Sequence, residues 1–84
     1  MLNEKKVAQL RWRCRRGMLE LDLLLERFCD KGLTQLNGEE SEVFETLLEL
    51  PDPDLLACLM GYANPLQPEL SHVVARIQSY LSIN

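Results

Sequence analysis

Hydrophobic positions recur at helical spacing in five separate stretches of this chain, and nowhere do they alternate with polar residues as in a strand. The first stretch starts at Asn3, a residue able to cap a helix, with Glu4 in the first turn. Val7, Leu10 and Cys14 then fall on one face, and Trp12 lies at the edge of that stripe near Ala8. A second helix is predicted from Met18 to about Asp30. It carries Met18, Leu21, Leu24, Leu25 and Phe28 on one face, Glu20 and Arg27 on its flank, and Gly32 as its stop. The third begins at Asn37-Gly38-Glu39-Glu40, the spacing of a capping box, and turns Val43, Phe44, Leu47 and Leu48 inward. Asp52-Pro53-Asp54 predicts the fourth start, with Asp52 as N-cap, Pro53 at the first helical position and Asp54 at the positive end of the dipole.

Residues Leu55 to Met60 are apolar all round, so this helix is either buried on several sides or partly offered to a partner, and Gly61, Asn64 and Pro65 end it. The fifth starts near Pro68 and places Leu70, Val73, Val74, Ile77 and Leu81 at helical spacing. Short connections between five short helices predict an all-α, compact single-domain bundle spanning residues 1–84. At that size the stability margin is about 5 kcal/mol or less.

Charge changes the picture at one end. Six basic residues and one acid give the first 16 positions a charge of +5, while three basic residues and twelve acids give the remainder −9, against −4 overall. The expectation is an electrical dipole rather than a basic, nucleic-acid-coating protein. Cys14, Cys29 and Cys58 are odd in number and contain no C-x-x-C pair, which argues against a disulfide framework and for a reducing compartment. The start lacks the apolar core of a secretory signal, and no apolar run approaches the roughly 20 residues needed to span a bilayer. A cytoplasmic protein, not inserted in a membrane, is expected.

Groups for catalysis are scarce. His72 falls opposite the Leu70, Val74, Ile77 face, where it reads as a solvated residue rather than a base or ligand. Cys14 and Cys58 lie among apolar neighbours with no base indicated nearby, so they read as small hydrophobes. Three scattered cysteines and one histidine make no zinc site by themselves, and there is no glycine-rich phosphate loop. The carboxylates of Glu39 to Glu45 and Glu49 to Asp54 cap helices and cover the solvent face. No catalytic residue and no metal ligand is assigned. The basic first helix is either a solvated surface or a docking surface for an acidic or phosphate-bearing partner; Trp12, Arg13, Arg15 and Arg16 favour docking, because arginine and aromatic side chains dominate interface energies.

The stretch Arg15-Arg16-Gly17-Met18-Leu19-Glu20-Leu21-Asp22 stands where the basic and acidic segments meet. If the first helix ends near Arg15 or Arg16, Gly17 is the left-handed residue that turns the chain, with Glu20 in the first turn of the next helix. A corner without a Cβ also lets another backbone or a flat cofactor approach while Arg16 reaches outward. If the helix instead runs on, Arg16 and Glu20 form an i, i+4 pair and Glu20 positions the guanidinium.

These residues resemble a known family. RRGMLELD, preceded by Trp12 and Cys14 and followed some thirty residues later by LLELPDPDLLACLMG, is similar to the succinate dehydrogenase assembly factors of the SdhE type, which carry an R-G-x-x-E motif, and the match extends over nearly the whole chain. One departure is visible: family members commonly have an aromatic residue where Cys58 stands. The resemblance implies a five-helix bundle that binds the flavoprotein subunit of succinate dehydrogenase, with fumarate reductase as a candidate second client. It implies promotion of covalent FAD attachment to a histidine of that subunit, with no cofactor held stably by the factor itself. The motif carries over to Arg16, Gly17 and Glu20; Trp12, Arg15 and Asp22 join them as expected partner contacts, and Asp52, Pro53 and Asp54 form an expected secondary contact. A monomer that is not an enzyme is expected. The competing expectations are a regulatory or nucleic-acid binder acting through the basic first helix, and an adaptor of another complex acting through the Leu55 to Met60 helix.

Overall fold

The computed structural model describes residues 3–64 and 67–81, so Pro65 lies outside the described residues. Among these residues there are five α-helices and no strand: α1 Glu4–Arg13, α2 Leu19–Lys31, α3 Gly38–Leu47, α4 Asp52–Met60 and α5 Pro68–Leu81, with a 3-10 turn at Leu33–Gln35 between α2 and α3. The all-α bundle expected from the periodicity is present. Helix α5 is its spine and packs against α2, α3 and α4. All five of its predicted inward residues are buried.

The local start signals act as expected at two helices. The Asn3 side chain accepts from the Lys6 amide at 2.8 Å, and at α3 both halves of the capping box form: Asn37 accepts from the Glu40 amide at 2.7 Å, and the Asn37 amide donates to Glu40 at 3.1 Å. Helix α4 differs. Pro51 is its N-cap, Pro53 falls one position later than expected, and no side chain caps it. Asp52 is not the cap because its carboxylate is drawn to Arg16, a charge-assisted bond stronger than one to a backbone amide.

The core is one cluster to which every helix contributes. Phe28 sits at its centre, with ring centroids 5.3 Å from Phe44 and 5.7 Å from Tyr80, both in tilted or edge-on geometry. Gly32 closes α2 as predicted, but its φ of −107° is not left-handed. Its role is close approach: a Cβ there would stand 2.5 Å from Phe28 and 2.8 Å from Tyr80. The apolar stretch Leu55 to Met60 of α4 buries Leu55, Cys58 and Leu59 and leaves Leu56, Ala57 and Met60 half-buried. Cys58 therefore packs in the core. Gln78 of α5 fastens the end of α4 by donating to the carbonyls of Cys58 and Leu59, each at 3.3 Å.

Glu40 ties α3 to α5. Besides capping its own helix it accepts from Arg76 at 2.7 Å and lies 3.1 Å from His72 Nε2, and these partners, the Asn37 amide first, hold its carboxyl below the usual value of 4.5. A carboxylate with a depressed folded pKa contributes stability that is full above its unfolded value and is lost as pH falls through the folded one. Glu40→Gln is therefore expected to lower the urea midpoint at pH 7 and to shrink the further fall between pH 5 and pH 3. Equal acid sensitivity of variant and parent would contradict this role.

Candidate functional site

Helix α1 stops at Arg13, two to three residues earlier than the sequence suggested, and Cys14 is its C-cap. The chain then runs through Arg15 and Arg16 to Gly17, whose φ is +87°, before α2 starts at Leu19. Of the two readings of this stretch, the left-handed corner is the one realised, and the continuous helix with an Arg16–Glu20 pair is not. Glycine is needed here because a Cβ disfavours this region by about 1–2 kcal/mol.

Asp22, in the first turn of α2, holds the corner from behind. Its Oδ1 accepts from the Arg16 amide at 2.8 Å and its Oδ2 from the Gly17 amide at 3.3 Å. The Arg16 side chain does not reach outward as expected. It is folded inward, 16% exposed, and donates in three directions: Nε to Asp52 at 2.9 Å, Nη1 to the Leu48 carbonyl at 2.6 Å and Nη2 to the Leu50 carbonyl at 2.8 Å. The reason is acceptor supply: α3 ends in carbonyls without helical partners, Asp52 stands beside them, and the planar guanidinium fork serves all three. Arg16 thus locks the corner to the α3–α4 junction.

The outer face of the corner is a groove of about 850 Å3, bordered by Trp12, Arg15, Gly17 and Asp22, with Cys14 and Cys29 also lining it. Trp12 is 74% exposed and also borders a second, smaller groove with Arg13 and Glu45. Nothing lies within 4 Å of where a Gly17 Cβ would be, so the space above the corner is open. Glu20 is exposed on the first turn of α2, and Pro53 and Asp54 are exposed on the first turn of α4. The structure therefore brings Trp12, Arg15, Gly17 and Asp22 to one groove and puts Arg16 with Asp52 beneath the corner.

The charge pattern is more compensated than the sequence suggested. Lys6 and Arg13 both pair with Glu45, at 2.8 and 3.7 Å, and Arg11 pairs with Asp30 at 3.4 Å. With Arg16 on Asp52, four of the six N-terminal cations are engaged by acids of α2, α3 and α4. Arg15 makes no ion pair among the described residues. Three features went unread in the sequence: Arg11, which also donates to the Cys29 carbonyl at 3.1 Å; Cys29 itself; and Leu19 and Leu23, one turn apart on α2 and 75% and 52% exposed. The leucines could have been found as the apolar residues left over once the buried face of α2 is assigned.

Among the described residues no group of three or more His, Cys, Asp and Glu could hold a metal, and no helix is long and apolar enough to cross a membrane. A small all-α protein with a rigidly backed, open corner flanked by exposed tryptophan, leucine and arginine has the make-up of a protein that docks on another macromolecule. The family described as "flavinator of succinate dehydrogenase" matches residues 8–81. The chain is similar to the FAD assembly factor SdhE of Coxiella burnetii, 45% identical over 82 residues that cover 96% of this chain and all of that protein. It is also similar to the SdhE proteins of Shewanella oneidensis, 43% identical over 86% of this chain and 88% of the relative, and Legionella pneumophila strain Paris, 40% identical over 93% and 98%. The chain belongs to the family of succinate dehydrogenase flavinators, which are assembly factors and not catalysts.

Proposed function

We propose that this chain binds the flavoprotein subunit of succinate dehydrogenase through the Gly17 corner and promotes covalent attachment of FAD to that subunit. The observation that carries the docking surface is the corner: a left-handed glycine under open space, its amides fixed by Asp22 and its far side anchored by Arg16. A surface already rigid before contact loses little conformational freedom on binding. Trp12, Arg15 and Glu20 surround it as contacts, and the exposed Pro53 and Asp54, beside the Asp52 that Arg16 holds, form a secondary contact. Arg16 acts by holding the corner, with Asp22, rather than by touching the flavin.

Attachment is the flavin's own chemistry with a residue of the client. The factor acts by differential affinity, favouring the client arrangement in which the two react; a preference of about 3 kcal/mol shifts that population more than a hundredfold. It works as a cytoplasmic monomer without a stably bound cofactor, and the fumarate reductase flavoprotein is a second client. The nucleic-acid reading loses its basis, since most of the basic helix is neutralised by the chain's own acids.

In cells lacking this chain, covalent flavin on the succinate dehydrogenase flavoprotein, read as in-gel fluorescence, is expected to fall about tenfold or more and to return on complementation. The tagged chain is expected to retain that subunit from lysate. Full fluorescence without the chain would remove the proposal.

A further inference from the structure

Two thiols in the groove take no part in docking, yet they face each other. Cys14 ends α1 and Cys29 lies in the last turns of α2, with their sulfurs 3.5 Å apart. Both are buried, 6% and 3% exposed, and both line the groove beside Gly17, which gives a small molecule a path to them. Cys29 is held below the ordinary thiol range by the hydrogen bond it shares with Cys14, helped by the nearby Arg11 guanidinium, while that bond and burial push Cys14 up. One sulfur is thus the readier thiolate and the other keeps its proton. Cys58 is buried in α4, where desolvation raises its pKa.

We propose that Cys14 and Cys29 form a reversible intramolecular disulfide, with hydrogen peroxide as oxidant, which staples the base of the Gly17 corner. The Cys29 thiolate attacks a peroxide oxygen; the O–O bond breaks, Cys29 becomes a sulfenic acid, and the hydroxide that leaves takes up the proton Cys29 gave to solvent. The Cys14 sulfur then attacks the Cys29 sulfur; the S–S bond forms, the S–O bond breaks, and water leaves with the Cys14 proton. Two electrons pass from the thiols to the peroxide, and hydrogen peroxide ends as two waters. A dithiol reverses the bond by exchange. The sulfurs need to close only from 3.5 Å to about 2.05 Å. The ring so formed encloses Arg16, Gly17, Glu20 and Asp22, so oxidation constrains the entire corner. In a reducing compartment the pair stays as thiols and the bond is transient.

The test is equimolar hydrogen peroxide on the purified full chain, followed by alkylation, trypsin and mass spectrometry. Trypsin cuts after Arg13, Arg15, Arg27 and Lys31, so the expected product is Cys14-Arg15 joined to the Phe28–Lys31 peptide, with Cys58 alkylated. The thermal midpoint should rise by about 5 °C or more, and dithiothreitol should reverse both changes. Cys58→Ala should keep the linked peptide and Cys29→Ser should lose it; should Cys29→Ser fail to fold, the parent and Cys58→Ala decide the matter. Three alkylated thiols after peroxide, oxidation at Cys58 instead, or a linkage between two chains would each overturn the proposal.

Discussion

Arg16→Ala is expected to destabilise the chain by about 3 kcal/mol, most of the margin available to a bundle of this size. The side chain is 16% exposed, and its guanidinium satisfies two main-chain carbonyls and one carboxylate at once. Truncation leaves all three acceptors facing a void, and hydrogen bonds to a charged group contribute about 1.5–3 kcal/mol each where water does not replace them. Water reaches part of this site through Asp52, whose side chain is 30% exposed, so the sum is well below three such bonds. Arg16→Lys should recover less than half of the loss, because a point ammonium cannot span acceptors held by a planar fork. Asp52→Asn, which spares the two carbonyl bonds, should cost about 1 kcal/mol. Urea unfolding followed by circular dichroism measures all three. A loss below about 0.5 kcal/mol for Arg16→Ala would mean that the inward tether does not hold the corner.

The direction of Arg16 was not legible in the sequence, and the reason is physical. Two of its three acceptors are backbone carbonyls of residues 48 and 50, more than thirty positions away, and a carbonyl leaves no mark in the side-chain alphabet. The Asp52-Pro53-Asp54 pattern signals a helix cap at Asp52, a local role that the longer-range charge pair displaces. Cys29 was missed for a related reason. It stands at the edge of the α2 stripe, and its meeting with Cys14 depends on how α1 lies across α2, which periodicity does not encode. Leu33 and Leu36 are buried around a turn too short to show any period.

What the sequence did reveal was local. The Asn37–Glu40 box, the inward face of α5 and the left-handed Gly17 each follow from residues within a few positions of one another, and each is present in the fold. The cavity-facing set was partly legible: Trp12, Arg15, Gly17 and Asp22 meet at one groove because they flank one turn of the chain. Leu19 and Leu23 stand exposed one turn apart on the same helix as Asp22.

Gly17→Glu separates the fold from the proposed docking role. A Cβ at this position meets nothing within 4 Å beyond its chain neighbours, and the amide can still donate to Asp22, so the main cost is the left-handed φ, about 1–2 kcal/mol. The bundle should therefore remain helical and cooperative at 25 °C. The glutamate side chain, however, fills the space over the corner and adds a negative charge beside Glu20 and Asp22. A partner surface that approaches the bare backbone meets both a steric block and a desolvation cost, so covalent flavin on the client subunit is expected to drop tenfold or more. Gly17→Asn tells strain from blockage, since asparagine tolerates left-handed backbone better than other side chains while still projecting into the open space. If strain were the cause, asparagine would restore attachment; with docking as the cause, attachment stays low although stability recovers. Normal flavin attachment by a stably folded Gly17→Glu chain would show that the corner is not where the client sits.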